Sequence, residues 1–163
     1  MKYLLAFVGL ALTALCAADD KRTTQQDLIG AWRLVKIEVQ GKEVDPFYGK
    51  GSQGLLIYDA SGWFSVQIEG ADRPAVKVPP ARPVPAPSEA ESKALNSYYA
   101  YFGTWSFDPA TSTVTHNAKG ALYPSEDAAV YPQHVEVVGR RMTFSRQQNG
   151  KVQTKLWERV SGR

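Results

Sequence analysis

Cysteine is almost missing from this sequence. Cys16 is the only one, and it sits in an N-terminal stretch that reads as a leader. Without it no disulfide and no thiol chemistry remain, so the folded part must depend on its core. Histidine is scarce as well: His116 and His134 are the two, and no spacing around them resembles a metal-ligand set of three or four side chains. A basic stripe is also lacking. The 19 Lys and Arg are scattered among 16 Asp and Glu for a net charge of +3, which gives no reason to expect nucleic acid as a partner. Helical periodicity is confined to one short stretch. The longest apolar run, Tyr3 to Leu15, is too short to span a bilayer well, so no transmembrane segment is expected.

What is present starts with that leader. "MKYLLAFVGLALTALCAADD" carries Lys2, an apolar stretch and small residues at Ala17 and Ala18, the pattern of a secretory signal peptide. Cleavage after Ala18 would leave residues 19–163 as one domain, exported to the periplasm or secreted. An alternative makes Cys16 a lipidated anchor, although Leu15 stands where such signals want a small residue.

Short apolar or alternating runs predict eight strands, at about 31–40, 54–58, 63–69, 98–107, 113–119, 129–138, 141–147 and 152–160. Turn chemistry separates them. "DASG" and "DPATS" are turn clusters, "VGRR" holds a tight Gly turn, and Asn149-Gly150 is the strongest two-residue hairpin signal. "SEAESKALNSYY" predicts one short helix, with Ser88 and Glu91 as its capping box. It lies in a long link, residues 70–97, whose first part is Pro-rich and suits neither helix nor central strand.

This pattern fits an all-β domain, a closed up-and-down barrel or a sandwich, and the loop lengths favour the eight-stranded antiparallel barrel. Counting strand reversals puts the turns at 59–62, 108–112 and 138–141 at one end. The long links 41–53, 70–97 and 119–128 then crowd the other end, with the 149–150 hairpin. That describes a cup, over which the Pro-rich segment is a lid or a docking strip for a partner.

Antiparallel pairing across the 108–113 turn sets Phe107 opposite Val114, Trp105 opposite His116 and Gly103 opposite Ala118. All of these point inward with Tyr101, while Thr104, Ser106, Thr113 and Thr115 point to solvent. Later strands pair Val137 with Met142, Val135 with Phe144 and Met142 with Trp157. They leave Gln133, Arg146 and Gln153 as a polar upper wall, and turn Lys155 inward opposite Phe144. Strand three turns Phe64, Val66 and Ile68 inward, but its register leaves open whether Tyr58 or Ile57 faces in.

These residues also carry a resemblance. "LIGAWRLVKIEV" opens like a lipocalin, with the Gly30-Ala31-Trp32 motif. "GLLIYDASGWFSVQI", "AYFGTWSFD", "TVTHNAKGALYP" and "LWERV" follow in the order seen in the bacterial lipocalin-like domain family. The resemblance covers about residues 27–160. It implies an eight-stranded barrel holding a small molecule, and a basic residue, Arg159, lying across the Trp to close the barrel's bottom. His116-Asn117 stands where relatives carry His-His, so no role for a second histidine transfers.

The resulting expectation is an exported protein binding a small, mainly hydrophobic molecule with a polar or carboxylate end. Phe64, Val66, Tyr101, Trp105, His116, Tyr123, Gln133 and Arg146 would line the site. No cofactor and no metal are expected. Two other readings stand beside it: an isomerase or cyclase using His116 as acid or base, and an envelope protein with a filled barrel that binds a partner. "GSQG" at 51–54 lacks the strand–nucleophile–helix setting of a hydrolase.

Overall fold

A computed structural model of the chain describes residues 22–43, 48–77 and 87–161. The leader with Cys16, and the centre of the Pro-rich run at 78–86, lie outside the described residues. The strands are β1 (Gly30–Val39), β2 (Gln53–Tyr58), β3 (Trp63–Glu69), β4 (Tyr98–Asp108), β5 (Thr113–Ala121), β6 (Val130–Val138), β7 (Arg141–Gln148) and β8 (Lys151–Arg159). Each pairs antiparallel with its neighbours in sequence, and β8 returns to β1 to close the barrel.

Local chemistry explains the reversals. The Asp59 carboxylate accepts the Ser61 N–H at 2.7 Å, and that of Asp108 accepts the Ala110 N–H at 2.9 Å, so each Asp folds the chain back on itself. Asn149 and Gly150 both take positive φ, 51° and 71°, as a two-residue hairpin twisted like its strands demands. A short helix, α1 (Gln25–Leu28), precedes β1. Helix α2 (Glu89–Asn96) starts at the Ser88 capping box, where the Ser88 N–H donates to Glu91 Oε2 at 2.7 Å.

The expected registers are present: Trp105 opposite His116, Gly103 opposite Ala118, Val135 opposite Phe144, Met142 opposite Trp157. Pairing also decides between Tyr58 and Ile57. Tyr58 lies opposite Phe64 and is buried, whereas Ile57 is exposed. Two bulges depart from the regular ladder expected. In one, Val35 is the extra residue on β1 against β8; in the other, Lys119 is extra on β5 against β4. The second carries β5 on to Ala121, past the expected end.

The base is a packed plug. The Trp32 indole N–H donates to the carbonyl of Leu28, the last residue of α1, at 2.8 Å. The Arg159 guanidinium lies 4.2 Å over the Trp32 ring and donates to the Ile29 carbonyl at 2.7 Å and to the Asp27 carbonyl at 2.5 Å. Above it, Leu34, Leu56, Val135, Met142 and Trp157 fill the lower barrel.

Candidate functional site

Alternation along β2, β3, β4 and β5 sends Tyr58, Phe64, Tyr101 and His116 into the barrel, where they meet halfway up. His116 is 1% exposed. Phe64 stacks on its imidazole at 4.0 Å between centroids. Both ring nitrogens meet phenols: Nε2 lies 2.5 Å from Tyr58 Oη and Nδ1 2.8 Å from Tyr101 Oη. Burial, with Lys155 and Arg146 adding repulsion, pushes the His116 pKa down to about 3, so the ring is neutral at ordinary pH. Burial likewise pushes the Tyr58 and Tyr101 phenols above their usual range.

This aromatic layer divides the interior. Below it a void of about 10 Å³ remains, lined by His116, Val66, Gln133, Phe144, Lys155 and Trp157 among others. That is room for roughly one water. The Trp157 indole N–H, buried there, has no hydrogen-bond partner among the described residues. Above the layer the mouth opens into a cavity of about 300 Å³. Its walls carry six tyrosines: Tyr48, Tyr98, Tyr99, Tyr101, Tyr123 and Tyr131. Arg146, Lys155, Gln153, Glu126 and Asn96 complete the lining. Tyr48 comes from the 41–53 link, Asn96 from the 70–97 link, and Tyr123 and Glu126 from the link between β5 and β6. The three long connections therefore converge on one end.

The mouth is internally wired. Tyr99 donates its hydroxyl to the Glu126 carboxylate, and burial with that bond raises the Tyr99 pKa. Arg146 Nε donates to Gln153 Oε1 at 3.2 Å. Tyr101 packs against Tyr99 and Tyr131, at 5.2 and 5.5 Å between centroids. A second cavity, of about 450 Å³, lies on the outer wall beside Arg33, Gln53, Leu55, Gln67 and Tyr98. It shares Tyr98 with the mouth but none of the His116 cluster, and exposed side chains flank it.

The expected site residues therefore separate. Tyr123 and Arg146 line the mouth, Val66, His116 and Gln133 line the small void beneath it, and Tyr101 lines both. Phe64 backs His116. Trp105 lines neither space: it packs 4.7 Å from Tyr58 and donates its indole N–H to Asp59 O at 3.2 Å. Gln133, expected beside Arg146 in an upper wall, is instead buried opposite Val114, because tilted strands put residues of equal step at unequal heights. Lys155, turned inward by its register, lines both void and mouth. His134 is exposed on the outer face. Among the described residues no three His, Cys, Asp or Glu lie together in a way that could hold a metal ion. Sequence reasoning missed Tyr48, Tyr58, Tyr99, Tyr131 and Glu126 as site residues. Pairing Tyr58 with Phe64 across "DASG" would have found Tyr58.

A closed, eight-stranded, up-and-down barrel, plugged below and open above, is a lipocalin/calycin-type fold. The family model for the lipocalin-like domain matches residues 29–160, and the chain belongs to that family. No curated protein matches it. Several solved structures are similar to it at low identity. A redesigned β-barrel is 14% identical over 83% of this chain and 94% of that one, with a TM-score of 0.42. The REP1-NXSQ fatty acid transporter is 14% identical over 85% and 99%, with a TM-score of 0.41. As-p18, an extracellular fatty acid binding protein, is 14% identical over 83% and 97%, also at 0.41.

Proposed function

We propose that this protein is an exported carrier or sensor that binds a compact small molecule in the tyrosine-lined mouth of its barrel. The cavity of about 300 Å³ above a packed interior carries this reading. That volume sits at the small end of ligand sites. The void below has about 10 Å³, so an extended acyl chain has nowhere to run. Six tyrosine rings favour a flat, ring-bearing ligand, and Arg146 and Lys155 favour an anionic or carboxylate end.

The acid–base alternative has less support. Both His116 nitrogens are engaged by phenols and the ring is held neutral, so it would reach a substrate only through Tyr101. The filled lower barrel agrees with a structural role in part, but the mouth does not share that filling.

The test is native mass spectrometry of the protein purified from its own source, followed by chemical-shift mapping of any retained molecule. Shifts should cluster on Tyr101, Tyr123, Tyr131 and Arg146. A ligand whose shifts fall on the outer wall near Leu55 and Gln67, or one threaded as a long chain towards Trp32, would refute the assignment. Export is checked by N-terminal sequencing of the mature protein, which is expected to begin at Asp19.

A further inference from the structure

We propose that Tyr58, His116 and Tyr101 form a directed hydrogen-bond relay that aims the Tyr101 O–H at the mouth, making its floor a donor to an anionic oxygen on the ligand. This rests on the mouth being the binding site. The direction of the relay follows from the free protein.

A neutral imidazole has one N–H and one lone pair. With a phenol on each nitrogen there are two orderings. In the first, Nε2–H donates to Tyr58 and Tyr101 donates to Nδ1. The Tyr58 hydroxyl hydrogen is then stranded: Tyr58 is 1% exposed, and among the described residues its hydroxyl bonds only to His116. Nor does Tyr58 line the small void, so a water there would not reach it. In the second, Tyr58 donates to Nε2, and Nδ1–H donates to Tyr101 Oη. The hydrogen left over belongs to Tyr101, which lines the mouth as well as the small void, so of the two phenols it alone has open space in front of it.

A buried, unsatisfied donor costs about 1–3 kcal/mol, which favours the second ordering by roughly 5- to 150-fold. The Tyr101 O–H then converges with Arg146 and Lys155 on one cavity; the Glu126 carboxylate, which accepts from Tyr99, shares that lining and offsets one of the two positive charges. One floor donor in a lining with a net positive charge favours an oxyanion. Tyr58 and His116 are positioning residues, since neither lines the mouth.

Long-range nitrogen–proton correlation NMR on labelled protein reads the tautomer without any ligand. His116 should carry its proton on Nδ1, with Nε2 bare; the reverse tautomer overturns the relay. The binding half is tested with two probes of the same ring system, anilinonaphthalene sulfonate and its uncharged counterpart phenylnaphthylamine. The wild type should prefer the sulfonate. Tyr101→Phe should weaken sulfonate binding about tenfold or more, as loss of a hydrogen bond to a charged group implies, and leave the neutral probe unchanged. Tyr58→Phe should scramble the tautomer and narrow the same preference from outside the cavity. If both probes weaken equally in Tyr101→Phe, the donor assignment is refuted. If neither probe binds the wild type at the mouth, the site itself is refuted, whatever the tautomer.

Discussion

The neutral, buried His116 makes a quantitative claim about acid stability. In the unfolded chain its pKa is the ordinary 6.5, whereas in the fold it is pushed down to about 3. Below pH 6.5 the unfolded state therefore takes up a proton that the native state refuses. Stability contributed by this group is flat above the unfolded value and falls as pH drops through the window from 6.5 to about 3. Each unit in that window costs about 1.4 kcal/mol once the unfolded histidine is fully protonated. Between the unfolded pKa and about pH 4.5 the loss comes to about 2 kcal/mol. The groups facing His116 reinforce the sign, since Lys155 and Arg146 repel the imidazolium and Tyr58 and Tyr101 are neutral phenols. The measurement is urea unfolding of wild type and His116→Gln over that pH range. Asp59, Glu91 and Asp108, whose carboxyls are lowered by local hydrogen bonds, titrate alike in both proteins and cancel in the difference. The wild type should lose about 2 kcal/mol more than the variant. Parallel curves would mean that the native ring accepts a proton, and would refute its enclosure between two phenols.

Other consequences are more direct. Trp32→Ala removes the centre of the base plug and should cost about 3–5 kcal/mol in chemical unfolding, with mouth binding unchanged in folded protein. Trp105→Ala should also act on stability rather than affinity, because the ring packs on Tyr58 and lines no cavity. Gly103→Ala should destabilise by about 1–3 kcal/mol or more in the same assay, since a Cβ there would stand 2.0 Å from the Asn117 carbonyl oxygen. Arg146→Ala should weaken an anionic probe much more than a neutral one in fluorescence titration; equal losses would remove Arg146 from ligand recognition.

The barrel was legible in the sequence because its signals are local. Period-two alternation, Asp turns and Asn149-Gly150 fix strand order and facing, and facing fixes which residues can meet. Trp105 opposite His116 followed from one turn. What stayed hidden depends on geometry accumulated over several strands. Bulges at Val35 and Lys119 leave no compositional mark, and strand tilt lowers Gln133 beneath Arg146. The relay is of the same kind: Tyr58 and His116 are on strands that do not pair, and only closure of the cylinder brings them into contact. Helix α1 is too short to show helical periodicity, though its Thr24–Asp27 capping box is written in the sequence.

The clasp of Arg159 on Trp32 has a consequence for traffic. With that end bolted shut, a guest bound as proposed would have to leave by the doorway through which it arrived, and loading and unloading would share a single bottleneck. On the proposed function, how long a guest stays is then governed by the segments bearing Tyr48, Asn96 and Tyr123, so residence time can be tuned there without touching the floor proposed to recognise it.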